Sequence, residues 1–297
     1  MARDHLTDVL HLAIPFGKMR VLGLRTIRHP KASFLMRSKP LLAIFGSLVF
    51  TVAAQSADKE GTLVIVGGGR LTNEVRDEFF RVAGGKGHAR LIIVPTASEA
   101  ADTPSQHDAL LAPWRALHPL EVAILHTRDR QQADDPSFVQ PLRTATGVWL
   151  SGGDQNRLIA AYRGTLFERE LHKLLERGGT IGGTSAGAAV MSDLMIQGGN
   201  PHARTGSGFG FIKGIVIDQH FVARNRIARL RGVLDAYRNY AGLGVDEGTA
   251  VIIRGTRLTV KGDSTVTVIW PTSSSQPRKE ETLKNGHTFD LSSLQIK

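Results

Sequence analysis

The stretch TIGGTSAGAAV, residues 180–190, places a glycine-flanked serine between an apolar segment and a run of small residues. Thr180–Gly182 is predicted to be a short strand, and the small residues after Ser185 are predicted to begin a helix. In this context a G-x-S-x-G pattern is typical of a nucleophile elbow, where glycine relieves the crowding of a tight turn. The same letters also fit an ordinary helix start with a serine cap. Ser185 is therefore a candidate nucleophile that needs a base elsewhere in the chain.

Around this stretch, short runs rich in Val and Ile alternate with amphipathic segments. The predicted strands are Leu63–Val66, Leu91–Val94, Val122–Leu125 and Gly147–Leu150, and the predicted helices are Glu74–Val82, Asp108–Leu117, Leu158–Ala161 and Thr165–Glu176. This alternation predicts an α/β fold with a mostly parallel sheet flanked by helices. Later elements are expected to be a strand at Ile215–Asp218, a helix at Arg224–Tyr240, and antiparallel strands at Gly244–Ile253, Arg257–Val260 and Thr265–Trp270.

The composition excludes several classes of function. The 297 residues include no cysteine, which removes disulfides, thiolate metal sites and cysteine nucleophiles. The formal net charge is +10, but eight of the 37 Lys/Arg and only two of the 27 Asp/Glu fall within residues 1–57. The remainder is mildly basic, with no basic run and 6% aromatic residues in the whole chain, so we do not expect nucleic-acid binding.

Residues 1–57 are predicted to be a leader. Arg37 and Lys39 precede the apolar run at 41–54, which ends in small residues, as in a signal peptide. A run of 14 residues is too short to span a hydrocarbon core of about 30 Å, so no stable membrane span is expected after cleavage. A buried helix is the alternative, and Met36 is a candidate start. We expect a secreted or periplasmic protein with one α/β serine hydrolase domain at 58–297.

A serine hydroxyl needs a general base to take its proton. His220 follows the apolar run Ile215–Asp218, at the carboxyl end of a predicted strand, where open α/β sheets place their sites. The residues alone leave the orienting acid open among Asp218, Asp246 and Glu247. The chain order serine, histidine, acid differs from the order serine, acid, histidine of the α/β-hydrolases. That superfamily is therefore disfavoured, unless His287 is the base.

Glycine turns follow two of the predicted strands. Gly153 lies in the turn after Gly147–Leu150, and its N–H and that of Ala186 are candidate donors to an oxyanion. The turn at 67–69 lacks the spacing of a dinucleotide fingerprint and is interpreted as a tight strand-to-helix connection.

Three arginines, Arg224, Arg226 and Arg229, come soon after His220. Guanidinium groups beside a catalytic centre can clamp a carboxylate, whereas a solvated helix face with local salt bridges is the alternative. The chain contains no H-E-x-x-H, Walker or EF-hand pattern, so we assign neither a metal nor a cofactor.

Taken together, four motifs in this order resemble the cyanophycinases: Gly152-Gly153-Asp154-Gln155, the Ser185 stretch, Asp218-Gln219-His220-Phe221 with its arginines, and Gly244–Ala250. That family consists of serine exopeptidases related to peptidase E, with a flavodoxin-like, glutamine-amidotransferase-like fold. They cut cyanophycin, a polyaspartate whose side chains each carry an arginine, into β-Asp-Arg dipeptides. The resemblance implies a triad of Ser185, His220 and Glu247. It implies substrate contacts from Gln155, Asp218, Gln219, Arg224, Arg226 and Arg229.

The resemblance therefore implies hydrolysis of cyanophycin or a β-aspartyl peptide through an acyl-enzyme. One alternative is a related α-aspartyl dipeptidase of the peptidase E type, which should not need three arginines after the histidine. Another is a non-catalytic amidotransferase-like domain that binds a small carboxylate. A homodimer is compatible with all three.

Overall fold

The computed structural model describes residues 60–272 and 278–294. The predicted leader at 1–57, with its signal peptide, lies outside the described residues, as does most of a Ser-rich segment at 271–277. Within the described part of the chain, no helix combines the length and the apolar character needed to cross a bilayer.

Strands alternate with one or two helices from β1 to α7, and most of the later elements are strands. The strands are β1 (Thr62–Val66), β2 (Arg90–Val94), β3 (Glu121–Ile124), β4 (Gly147–Leu150), β5 (Thr180–Thr184), β6 (Leu194–Gly198), β7 (Arg204–Ser207), β8 (Ile215–Gln219), β9 (Ala241–Val245), β10 (Thr249–Arg254), β11 (Arg257–Gly262), β12 (Thr265–Ile269), β13 (Glu280–Lys284) and β14 (Thr288–Asp290). The helices are α1 (Asn73–Val82), α2 (His107–Arg115), α3 (Arg130–Ala133), α4 (Gln140–Thr144), α5 (Gln155–Tyr162), α6 (Leu166–Glu176), α7 (Ala186–Ala189) and α8 (Ile227–Ala236). Short 3₁₀ turns occur at Glu99–Asp102, Pro104–Gln106 and Leu291–Leu294.

The main sheet has eight strands in the order β14-β11-β10-β1-β5-β4-β2-β3. The strands β1, β5, β4, β2 and β3 are parallel to one another. The strands β10, β11 and β14 each pair antiparallel with their neighbours. This confirms the predicted mostly parallel sheet with antiparallel strands near the C-terminus. A second sheet has the order β13-β12-β9-β8, with β8 and β9 parallel, and β6 and β7 form a separate hairpin.

Helices cover both faces of the main sheet because its central strands are apolar on both sides. Successive residues of β1 alternate faces. Leu63 and Ile65 belong to the core that includes Phe167 of α6, while Val64 and Val66 belong to the core beneath α1. In the second core the rings of Phe79, Trp114 and Trp149 pack together, with centroids 5.0–5.5 Å apart. The layers are therefore helix, sheet, helix.

Two predicted elements were too long. The helix expected at Arg224–Tyr240 spans only Ile227–Ala236, because Asn225 takes a left-handed φ of 48° and ends a turn before the helix starts. The strand expected at Gly244–Ile253 is two strands in different sheets, since Gly248, at φ 64°, breaks the run. The hairpin of β6 and β7 and the strands β13 and β14 were not predicted.

Candidate active site

Ser185 lies at the end of β5 in a conformation that L-residues rarely adopt, with φ 52° and ψ −109°. The flanking glycines are needed for close packing: a Cβ on Gly183 would lie 2.6 Å from the backbone of Gly187, and one on Gly187 would lie 2.0 Å from the carbonyl oxygen of Leu150. The prediction that glycine relieves crowding at this turn is therefore confirmed. A non-glycine residue held at positive φ between such contacts is characteristic of a nucleophile elbow.

Strand pairing brings three turns to one place. Val66 at the end of β1 pairs with Thr184 of β5 on one side and with Ala250 of β10 on the other. In the second sheet, Gln219 of β8 pairs with Val245 of β9. Residues 185, 220 and 246–248 follow or precede these pairs directly. The register of the two sheets thus places the serine, the histidine and the β9–β10 turn at a common edge.

A continuous chain of hydrogen bonds joins Ser185, His220 and Glu247. The Oγ of Ser185 lies 2.8 Å from Nε2 of His220, and Nδ1 of His220 lies 2.5 Å from Oε1 of Glu247. His220 is buried, whereas the side chain of Glu247 is 39% exposed. Residues 185 and 220 are 35 positions apart, so this contact depends entirely on the fold. The three groups have the arrangement of nucleophile, base and orienting acid.

The glycine turn after β1 forms a wall of this site. The backbone N–H of His220 donates to the carbonyl oxygen of Gly67 at 2.6 Å. A Cβ on Gly68 would lie 2.3 Å from Cε1 of His220, and one on Gly69 would lie 2.8 Å from Oε2 of Glu247. The sequence interpretation of 67–69 as a tight connection missed this contact. The glycine run immediately after a buried strand was the available signal.

Burial lowers the pKa of His220 because the charged imidazolium is poorly solvated there. The hydrogen bond to Glu247 opposes this effect, while the positive charges of Arg224 and Arg226 add to it. The net shift keeps the imidazole neutral near pH 7, as a general base must be.

Of the two predicted oxyanion donors, Ala186 is buried at the first position of α7, where a backbone N–H has no acceptor within the helix. The N–H of Ser185 itself donates to Val66 at 3.0 Å. Gly153 has φ 138°, and a Cβ there would lie 2.1 Å from the carbonyl oxygen of Ala97, so the position requires glycine. Its neighbour Gly152 approaches Ser185, since a Cβ on Gly152 would lie 3.5 Å from the serine Cβ.

Asp218 and Arg229, both predicted to contact substrate, lie beneath the site. Asp218 is 0% exposed, and its carboxylate accepts two hydrogen bonds from Arg229, one of them from Nε at 2.9 Å. Arg229 also donates to the carbonyl oxygen of Gly199 at 2.9 Å. The polar atoms of Asp218 and Arg229 thus hydrogen-bond to each other and to the backbone. The expected contact of Asp218 and Arg229 with substrate is corrected to a buried ion pair.

Arg226 and Gln219 form a second buried pair. Nη1 of Arg226 donates to the carbonyl oxygen of Gln219 at 2.5 Å and to its Oε1 at 2.8 Å. Desolvation lowers the pKa of Arg226 to about 10. Two predicted contacts remain accessible: Arg224 is exposed, and Gln155 is half-buried. The amide nitrogen of Gln155 donates to Gln197 at 2.7 Å and to Ile196 at 3.2 Å, so its side chain joins α5 to β6.

In the part of the chain that the structure describes, no group of three or more His, Cys, Asp or Glu residues is arranged to hold a metal ion. The site as built supplies a hydroxyl, a neutral imidazole and a carboxylate in hydrogen-bonding contact. That set of groups suits acyl transfer.

Comparison with known proteins agrees with this chemistry. Residues 63–261 match the model of peptidase family S51. The chain is 34% identical over 232 residues to a cyanophycinase of Synechococcus elongatus, covering 73% of this chain and 70% of that protein. It is 36% identical over 229 residues to a cyanophycinase of Nostoc sp. strain PCC 7120, covering 73% and 75%.

The fold is also shared with a solved structure. A peptidase from an acI-B1 Actinobacterium superposes with a TM-score of 0.58 at 23% identity, covering 78% of this chain and 97% of that one. The sequence resemblance is thereby confirmed: this chain belongs to peptidase family S51 and is a serine-type peptidase.

Proposed function

We propose that this peptidase degrades cyanophycin to β-Asp-Arg dipeptides, with Ser185 as nucleophile, His220 as general base and Glu247 as orienting acid. The observation that carries the mechanism is the unbroken chain from Ser185 Oγ through both ring nitrogens of His220 to Glu247. The substrate class is supported by the similarity to cyanophycinases over about 70% of each chain.

The product defines the bond that is cut. In a β-Asp-Arg unit the arginine amine is acylated by the aspartyl side chain. Releasing that unit intact requires hydrolysis of the main-chain amide between successive aspartyl residues. The carbonyl carbon of that amide is therefore the electrophile for Ser185.

In the acylation step, Nε2 of His220 takes the hydroxyl proton as Ser185 Oγ attacks that carbon. The hydrogen bond from Nδ1–H to Glu247 fixes the tautomer and stabilises the imidazolium that forms. The N–H groups of Ala186 and Gly153 are the proposed donors to the oxyanion. His220 then protonates the leaving amine, and the carbon–nitrogen bond breaks. Water, deprotonated by His220, hydrolyses the acyl-enzyme and regenerates the serine.

Arg224 is the arginine placed to meet substrate. Its side chain is exposed and close enough for its charge to lower the pKa of His220. Each β-Asp-Arg unit presents the free α-carboxylate of its arginine. A guanidinium beside the histidine can bind such a carboxylate through two hydrogen bonds.

The test is release of soluble dipeptide from insoluble cyanophycin by the wild type, Ser185→Ala and the exposed-site control Ser207→Ala. We expect release by the wild type and Ser207→Ala, and a loss of at least about 10³-fold in Ser185→Ala. Cleavage of Asp-Leu without cyanophycin degradation would indicate an α-aspartyl dipeptidase instead. Activity unchanged in Ser185→Ala would overturn the mechanism, and a wild type that binds a carboxylate ligand but hydrolyses neither substrate would favour a carboxylate-binding domain.

Export is a further part of the proposal. The charged segment and apolar run at 37–54 support export to the periplasm or medium. Expression of the full chain in a bacterial host, followed by N-terminal sequencing of the protein in the periplasmic and extracellular fractions, should give a start near Gln55. Retention of the uncleaved chain would contradict export. A homodimer is compatible with this proposal, and sedimentation equilibrium of the processed protein distinguishes it from a monomer.

A further inference from the structure

Asp246 is a buried carboxylate one residue before Glu247 and takes no part in the mechanism above. It is 6% exposed. Its Oδ1 accepts hydrogen bonds from the backbone N–H groups of Val222 at 3.0 Å and Ala223 at 2.9 Å. Its Oδ2 accepts from the hydroxyl of Ser264 at 2.6 Å. One side chain thus joins the β9–β10 turn, the turn after His220, and the β11–β12 connection.

The turn after His220 needs such an anchor. It begins and ends with residues at left-handed φ, 51° for His220 and 48° for Asn225, and conformations of this kind persist only when their surroundings over-determine them. Four of its residues, 222–225, are exposed, and Val222 is 56% exposed, so packing holds the turn only through the buried Phe221 at its start. The backbone bonds that close the turn are Arg224 N–H to His220 and Asn225 N–H to Val222, each at 3.0 Å, and Arg226 N–H to Phe221 at 2.8 Å.

The charge state of Asp246 suits this role. Burial opposes its ionisation, but the Ser264 hydroxyl and the N–H groups of Ala223, Glu247 and Val222 outweigh burial and lower the pKa of Asp246. An ionised carboxylate therefore accepts these bonds at neutral pH, and hydrogen bonds to a charged acceptor are about twice as strong as neutral ones.

We propose that Asp246 is a positioning residue that fixes the turn 221–225, and through it sets both the placement of the His220 ring and the presentation of Arg224. This rests on the proposed function, since His220 and Arg224 are given their roles there. Glu247 orients the imidazole from its side-chain end. Asp246 acts on the same histidine through the turn that follows it, whereas the N–H of His220 itself is held by Gly67. Adjacent acidic residues would thus hold one catalytic group in two ways.

The first measurement needs no substrate. Hydrogen–deuterium exchange of the segment 221–226 is compared among wild type, Asp246→Ala, Asp246→Asn and Ser264→Ala. In Asp246→Ala the N–H groups of Val222 and Ala223 lose their acceptor, and exchange should accelerate at least about tenfold. Asn retains an oxygen for both N–H groups and an amide that can donate to Ser264, so exchange should stay near the wild-type rate. Ser264→Ala removes neither N–H bond and should also leave the segment protected.

The second measurement is steady-state release of β-Asp-Arg. In Asp246→Ala we expect kcat to fall about 10²-fold, because misplacement of a catalytic group by about 1 Å has that effect, and KM to rise as Arg224 is released. Asp246→Asn should restore both constants to within about threefold of the wild type. Asp263→Asn is the matched control, because Asp263 is exposed in the β11–β12 connection and loses the same charge.

Each outcome bears on one claim. Unchanged exchange at 221–226 in Asp246→Ala overturns the proposal, whatever the substrate. Faster exchange with unchanged kcat and KM overturns the positioning role. Failure of Asp246→Asn to restore activity also overturns it, since both N–H acceptors are then present. If the wild type releases no dipeptide while exchange responds as expected, the proposed function is overturned. The role of Asp246 in holding the turn 221–225 is then still supported.

Discussion

Gly68 lies against the imidazole of His220: a methyl group at this glycine would be 2.3 Å from Cε1 and 2.4 Å from Nε2 of the ring. Both distances are far below van der Waals contact. Gly68→Ala should therefore push the ring away from Ser185. We expect kcat/KM to fall at least about 10²-fold.

Gly85→Ala is the control for backbone strain. Gly68 and Gly85 both have positive φ, 104° and 72°, but a Cβ on Gly85 would have no neighbour within 4 Å. Both alanine variants should lose about 1 kcal/mol of stability from the left-handed conformation. Only the Gly68 variant should lose activity. Equal activity in the two, with folding verified by thermal unfolding, would show that the ring tolerates displacement.

Glu247→Gln tests the orienting acid. A glutamine retains the size of the side chain, but its amide can donate to Nδ1 and favour the wrong tautomer of His220. By analogy with the corresponding change in serine proteases, we expect kcat to fall about 10³- to 10⁴-fold. The melting temperature should change little, because the side chain of Glu247 is 39% exposed. Steady-state kinetics and thermal unfolding separate these effects, and a kcat within tenfold of wild type would remove Glu247 from the mechanism.

The main sheet and the serine turn could be predicted from sequence because their signals are local. The continuous apolar runs that become β1, β2 and β4 are typical of strands buried on both faces. The glycines around Ser185 indicate a crowded turn. Both signals lie within about ten residues of the element that they predict.

Contacts set by pairing between distant strands could not be predicted in this way. No pattern in the sequence shows that Gln219 pairs with Val245, yet that register places Asp246 beneath the turn after His220. The arginines show the same limit, because charge suggests exposure while Arg229 is buried on Asp218. The break at Gly248 was overlooked because the apolar residues before Asp246 and after Thr249 were taken as one strand, although the polar, glycine-containing segment between them is a turn signal.

The shifted pKa of His220 gives a pH prediction. Burial lowers this pKa, and the charges of Arg224 and Arg226 lower it further, against the raising effect of Glu247. The base acts only when neutral, so activity is lost as pH falls through the lowered pKa. The acid limb of the kcat/KM profile should therefore lie below about pH 6.5, the unperturbed value for histidine. An acid limb above that value would contradict the burial argument.

Replacing Arg224 should shift the acid limb of the kcat/KM profile. Arg224→Gln removes a positive charge that lowers the pKa of His220, so the acid limb should shift to higher pH. KM should rise in the same variant, because a carboxylate clamp is lost. Arg254→Gln carries the same charge change on an exposed residue at the far end of β10 and should alter neither. An unshifted limb in Arg224→Gln would show that this arginine does not act on His220.

Arg229 and Arg224 look alike in sequence, but we expect replacement of Arg229, which is buried on Asp218, to lower stability and replacement of Arg224 to raise KM. Arg229→Ala removes both hydrogen bonds to the buried carboxylate of Asp218 and leaves it only Arg226 at 3.5 Å, so the loss should approach the about 3–5 kcal/mol typical of a broken buried pair. Arg229→Lys should recover only part of this, since an ammonium cannot reproduce the paired hydrogen bonds. Arg224→Ala is the comparison, with unchanged melting temperature and raised KM. If Arg229→Ala instead kept its melting temperature and raised KM alone, Arg229 would contact substrate, and the buried pair would not be what holds β8 to α8.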